Sequence, residues 1–155
     1  VGRTTTRRPL PDDLSSRLTG DSKVDWNIFE NYVVDMLGLK KTKASGSYLS
    51  NGDGLSDTIM LECKWTGSMG SITLYQDTWD SARAQAFRQG RELIMAMGNP
   101  DEAYLVIWKS RDVGSSPQKR LILSERDAKI GNDKVKVISI INYIKLMKDL
   151  EDTTL

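Results

Sequence analysis

A chain of 155 residues, 39% of them hydrophobic and with a formal net charge of +1, is near the modal domain size and long enough to bury about two thirds of its unfolded surface without a covalent or metal staple. One cysteine and no histidine rule out an internal disulfide framework, Ser-His-Asp and Cys-His catalysis and imidazole-bound metals, and leave no basis for a protein zinc site. Acid–base and metal chemistry is left to carboxylates and lysines.

Residues 1 to about 21, with Pro9, Pro11 and repeated Thr and Ser, predict a mobile arm ahead of one domain over 22–155. The spacing predicts a first helix over 23–37, with Ser22 as N-cap, Asp25 three positions on in a capping-box variant, and Gly38 as its stop. Phe29, Val33, Met36 and Leu37 form its apolar stripe, and Glu30 lies at the stripe's edge, where the residues alone favour a solvated charge. A strand over 40–48 should lead into an Asn51-Gly52-Asp53-Gly54 turn, with a return strand over 58–65. A strand over 71–75 precedes a second helix, with Asp77 as N-cap, Trp79, Ala82, Ala86 and Phe87 on one face, and Gly90 at the C-terminal cap. Leu93 to Met97 and Ala103 to Trp108 are apolar runs of strand length around an Asn99-Pro100-Asp101 turn. Further strands are expected over 120–123 and 135–139, the latter after a Gly131-Asn132-Asp133 turn, and a final helix over 140–150 carries Ile141, Ile144 and Met147 or Lys148 at amphipathic spacing. The expected fold class is α/β, a mixed sheet flanked by helices in a single domain.

Within the return strand, Ile59, Met60 and Leu61 form an apolar run ending in Glu62-Cys63-Lys64. The strand period of two places Glu62 and Lys64 on one face and Cys63 on the other. An upstream carboxylate from across the turn completes an oxygen-donor set of the kind Mg²⁺ prefers. Two aspartates compete for that place. Asp57, if it already belongs to the return strand, has the wrong parity, whereas Asp53 lies across the turn and is preferred; Asp57 then reads as a turn-stabilising residue. Read in isolation, Glu62 and Lys64 would be a surface charge pair, but their place at the end of an apolar run beside a Gly-rich acidic turn favours a cleft.

The order of these features resembles the PD-(D/E)xK nuclease superfamily, and within it the archaeal and phage-type Holliday junction resolvases. The residues that carry the resemblance are Glu30 within Trp26-Asn27-Ile28-Phe29-Glu30, Ser45-Gly46-Ser47, Gly52-Asp53 and Glu62-Cys63-Lys64. Gly52 stands where a proline is common, as in the phage-type form. The resemblance implies a restriction-endonuclease-like fold and a metal-dependent DNA endonuclease acting on four-way or branched DNA. It also implies Glu30, Asp53, Glu62 and Lys64 as catalytic residues. Asp53, Glu62, the Cys63 backbone carbonyl and Glu30 would then be donors to Mg²⁺ or Mn²⁺, with Lys64 either orienting or deprotonating a water or stabilising charge on the phosphate. A restriction-type or nicking enzyme of the same fold and a non-catalytic DNA-binding module are the alternatives.

A net charge of +1 is low for a nucleic-acid binder, but its distribution is uneven. Arg3, Arg7 and Arg8, then Lys40, Lys41 and Lys43, then Lys109, Arg111, Lys119 and Arg120 form basic clusters, while acids gather at Asp149, Glu151 and Asp152. Lys41, Lys43, Ser45, Ser47, Arg7 and Arg8 are therefore the expected DNA contacts. Trp65 and Trp79 read as core aromatics, and Cys63 as a buried small hydrophobe. Paired cuts across a two-fold junction imply a homodimer, formed through residues around Ile138, Ile141, Ile144 and Met147 or through the N-terminal arm. With no apolar run of membrane-span length and no hydrophobic leader, the expectation is a cytoplasmic protein of a bacterial, archaeal or phage-infected cell, without membrane association.

Overall fold

Seven strands bond into one mixed sheet whose centre is built from the most apolar runs of the sequence. The computed structural model describes residues 9–42 and 52–153. The elements run α1 (Asp12–Ser15), α2 (Ser22–Met36), β1 (Lys40–Lys41), β2 (Gly54–Leu55), β3 (Ile59–Trp65), β4 (Thr73–Tyr75), α3 (Gln76–Arg88), β5 (Glu92–Gly98), β6 (Ala103–Arg111), β7 (Arg120–Ile122), β8 (Arg126–Ile130), β9 (Asp133–Ser139) and α4 (Ile140–Thr153). The sheet order is β1-β2-β3-β5-β6-β9-β8, and β4 pairs with β7 in a separate ribbon. β3 and β5 are parallel, joined by the crossover through α3, and the other pairs are antiparallel.

Side-chain alternation divides the core in two. On one face Met60, Leu93, Met95 and Met97 pack with Trp79, Ala82 and Ala86 of α3 and with Leu74 and Leu121 of the ribbon. On the other, Leu61, Cys63, Ile94 and Ala96 pack with Phe29, Val33 and Val34 of α2 and with Ile140 of α4. The chain is thus an α/β domain, a mixed sheet flanked by helices. Among the described residues no helix is long and apolar enough to cross a membrane. Trp79 Nε1 donates to Asp133 Oδ2 at 2.9 Å, and the Arg83 guanidinium lies 4.3 Å from the centre of the Trp108 ring, so α3 is also bound to the sheet by polar and cation–π contacts.

Several local expectations are corrected. Residues 9–21, expected within a mobile arm, instead carry α1 and bury Leu10 and Leu14 in the α2 face of the core. Asp21 rather than Ser22 caps α2, accepting from Lys23 N and Val24 N. Asp25 takes no part in a capping box; its carboxylate accepts from Thr19 N, Thr19 Oγ1 and Gly20 N at 2.7, 2.9 and 2.9 Å. Asp77 lies inside the first turn of α3, which has no side-chain cap. Phe87 is 73% exposed rather than in the core, because Trp79, Ala82 and Ala86 already fill the width of the buried face. The strand β8 was not expected from its sequence, Arg-Asp-Ala-Lys-Ile. On α4 the exposed apolar side chains are Leu146 and Leu150, while Ile141, Ile144 and Met147 are half-buried.

Burial of Asp25 acts to raise its pKa, but the bonds from Thr19 and Gly20 outweigh it and hold the carboxyl below the ordinary aspartate value. A depressed folded pKa contributes stability above the unfolded value that is lost as the pH falls through the folded one. Asp25→Ala should therefore destabilise the protein by about 2 kcal/mol at neutral pH through three unfilled donors. In chemical denaturation the gap from the parent protein should narrow as the pH drops below the ordinary aspartate range.

Candidate active site

The short strand β2 is what makes room for a site. On β3 it pairs with Met60 and Leu61 alone, so beyond Leu61 the outer edge of β3 has no strand partner among the described residues. A side chain takes the place of the missing strand. Asp53 N donates to Leu61 O at 2.7 Å, and Asp53 Oδ2 accepts from Cys63 N at 2.7 Å, which fixes the carboxylate against β3 beside Glu62. Thr42 N in turn donates to Asp53 O at 3.2 Å.

Gly52 is required for this approach. Its φ is +84°, and a Cβ there would sit 2.7 Å from the Leu61 carbonyl oxygen and 2.9 Å from Met60 Cγ. Proline, confined to φ near −65°, could not take that conformation. The chain between β1 and β3 also differs from the expected turn. Asp53 leads into β2, and the reversal into β3 falls at Ser56-Asp57-Thr58, where Ser56 Oγ accepts from Thr58 N and Ile59 N. Ser56 supplies the turn-stabilising bonds expected of Asp57, which is exposed. Asp53, not Asp57, is the aspartate whose carboxylate reaches β3.

Glu62 and Lys64 share a face of β3, with Lys64 Nζ 3.8 Å from Glu62 Oε2 and side-chain exposures of 49% for the lysine and 18% for the glutamate. Cys63 points into the core on the opposite face. Burial first, and then the surrounding carboxylates of Asp53, Glu30 and Glu62, push its thiol well above the usual range, so it is not a nucleophile. Glu30, from α2, is 4% exposed. Its Oε1 lies 3.3 Å from Lys41 Nζ, and its buried Oε2 has no hydrogen-bond partner among the described residues. Lys41 is held by Asn27 Oδ1 at 3.2 Å and Asn31 Oδ1 at 2.7 Å. These two asparagines were missed in the sequence, although they sit three residues before and one after Glu30, and Asn27 shares its helical face.

The electrostatics tie the acids into one group. Burial, followed by the charge of Asp53, raises the Glu30 pKa against the opposing pull of Lys41. Burial and Asp53, with a smaller contribution from Glu30, raise Glu62 to about 7 despite Lys64. Glu30, Asp53 and Glu62 thus carry three acids against the two lysines Lys41 and Lys64 among the described residues. Among the described residues no group of three or more Cys, Asp or Glu side chains is placed so that it could hold a metal ion. Lys43, Ser45, Ser47, Arg7 and Arg8 lie outside the described residues. No family model matches the chain, and no curated protein matches it at a significant level.

A carboxyl whose folded pKa exceeds its unfolded value contributes stability that is complete below the unfolded value of 4.5 and lost as the pH rises through the folded value of about 7. Glu62→Gln should therefore stabilise the metal-free protein at pH 8 by about 1–3 kcal/mol, since each unit of pKa corresponds to about 1.4 kcal/mol. Near pH 4 the two proteins should be equally stable. Denaturation midpoints at both pH values check this, and an equal or lower midpoint for the variant at pH 8 would contradict it.

Proposed function

We propose that this protein is a metal-dependent DNA endonuclease of the PD-(D/E)xK type, with the restriction-endonuclease-like fold of that group and selectivity for four-way or branched DNA. The observation that carries the reading is the Asp53 carboxylate held by the Cys63 amide beside the Glu62–Lys64 pair. This is an acid, an acid and a lysine on one strand whose edge is uncovered among the described residues, with no histidine in the chain to serve another hydrolytic chemistry.

Carboxylates and a backbone carbonyl are the donor types that a hard cation takes. Glu30 Oε2 is buried and unpartnered among the described residues, the charge of Asp53 adds to burial in raising Glu30 and Glu62, and Mg²⁺ is commonly held by one or two carboxylates together with waters and substrate phosphate. Asp53 and Glu62, with the Cys63 carbonyl, would hold Mg²⁺ or Mn²⁺, and Glu30 would complete the set or hold a water. Such an ion, when bound, lowers the pKa of a water and neutralises charge growing on the phosphate oxygens.

The chain's own residues supply the rest. Asp53 is oriented before substrate arrives, so little reorganisation is needed. Glu62, at about 7, exchanges its proton near neutral pH and becomes a full anion as positive charge approaches. Lys64 is half exposed and only loosely paired; its ammonium is free to turn toward a phosphate oxygen or an attacking water. Lys41, fixed by Asn27 and Asn31, keeps Glu30 ionisable and lends positive charge to the entrance. Cutting opposite strands of a two-fold junction calls for a homodimer, and the exposed Leu146 and Leu150 of α4 offer apolar surface for it.

Incubation with a synthetic four-way junction, a linear duplex and a supercoiled plasmid tests the reading. Symmetric junction cleavage is expected with Mg²⁺ or Mn²⁺, and binding with little cleavage when Ca²⁺ replaces them. Asp53→Asn, Glu62→Gln and Lys64→Ala should each lower the cleavage rate by about 100-fold or more while retaining junction affinity, an effect typical of losing one preorganised electrostatic contact. Asp57→Asn should cut at nearly the parent rate. Cleavage in excess EDTA would overturn the metal mechanism, fixed-sequence cutting of linear duplex would favour a restriction-type enzyme, and binding without cleavage a DNA-binding module.

A further inference from the structure

A groove of about 430 Å³ opens along the first turns of α2, lined by Ser22, Lys23, Trp26, Asn27 and Trp65. Its size is that of a small-molecule cleft. It adjoins the acidic site through Asn27, which lies on its wall and accepts from the Lys41 that pairs with Glu30; Trp65 lies with Cys63 on the α2 face of β3, opposite the face of Glu62 and Lys64. The two tryptophans differ in kind. Trp65 is half-buried and fixed, with its ring centre 5.1 Å from that of Phe29 and its Cζ3 close over Gly98, where a Cβ would come within 3.1 Å of it. Its Nε1 is buried with no partner among the described residues. Trp26, one helical turn before Glu30, is 38% exposed, an open indole face beside an exposed lysine.

An aromatic surface flanked by a cation and joined to a phosphodiester-cleaving site has the chemistry of a base-stacking platform. Every base offers a π-face, and lysine meets the backbone that carries it. A duplex keeps its bases stacked on one another and cannot present one to such a groove, whereas a strand with unpaired nucleotides can. Resting on the nuclease reading above, we infer that the Trp26–Trp65 groove receives an unpaired base of the strand that enters the acidic site beside Lys41 and Glu30, with Lys23 on its phosphate. The groove would then contribute to selectivity for branched or single-stranded DNA over continuous duplex. It gives Trp65, read from sequence as a core aromatic, a second role as the fixed wall against which Trp26 closes.

Binding measured in EDTA separates this inference from the cleavage chemistry. Fluorescence anisotropy with a labelled oligothymidine, a junction with unpaired nucleotides at its centre and a blunt hairpin duplex should show Trp26→Ala losing about tenfold affinity for the first two, in line with the stacking free energy of one base. Affinity for the duplex should be unchanged. Trp26→Phe should recover most of the loss, and Lys23→Ala should weaken the oligothymidine and the open junction more than the duplex. Oligothymidine should also quench tryptophan emission in the parent protein more than in Trp26→Phe. Equal affinity of Trp26→Ala and parent for oligothymidine, or an equal loss on the duplex, would overturn the inference even if the protein cuts junctions. Failure of the parent protein to cut any DNA with Mg²⁺ or Mn²⁺ would overturn the nuclease reading, and the oligothymidine measurement would still decide the groove.

Discussion

Cys63 N–H has no neighbouring strand to bond to among the described residues and donates instead to the Asp53 carboxylate at 2.7 Å. That bond governs the site. It exists because β2 reaches along β3 only as far as the Gly54–Leu61 pair, and because Gly52, at a φ of +84°, lets the chain pass close over Met60 and Leu61. A longer β2 would cover the edge of β3 with backbone and leave no space for Asp53 beside Glu62. With Asp53 in place, its negative charge adds to burial in raising both Glu30 and Glu62, and Glu30 is met by a lysine held by two asparagines.

The energetics are those of a site set against stability. Three carboxylates converging, with Glu30 Oε2 unsatisfied among the described residues, cost the folded chain free energy that an apolar corner would not. The surrounding structure offsets it with a buried apolar cluster on each face of the sheet. Asp25, equally buried, is satisfied by three donors and lies below its ordinary pKa. The contrast between Asp25 and Glu62 distinguishes an acid whose bonds stabilise a loop from one raised by burial and a neighbouring acid despite its lysine.

The parts of this arrangement that were legible in sequence are those fixed by short-range geometry. Alternation along 59–65 placed Glu62 and Lys64 together and Cys63 in the core, because the strand period depends on nothing beyond the strand. The apolar runs at 93–97 and 103–108 became the central strands for the same reason. What depended on partners distant in sequence was not legible. Asn-Gly and Asp-Gly suggested a turn at 51–54, but Asp53 leads into a strand because Lys40 and Lys41 pair there. Asp21 and Ser22 are both good caps, and the hydrogen bonds to Lys23 and Val24 choose the first. The polar run of β8 is a strand only because β9 pairs along its whole length. Asn27 and Asn31 acquire meaning only when Lys41 folds back onto α2.

Metal affinity measured against pH tests the central claim most directly. If Asp53, Glu62 and Glu30 form one oxygen-donor group, isothermal titration with Mn²⁺ in the absence of DNA should show saturable binding. It should release protons near pH 7, where Glu62 is half protonated, and both signals should be lost in Asp53→Asn and kept in Asp57→Asn. No binding at millimolar Mn²⁺, or binding that Asp53→Asn leaves intact, would contradict the account.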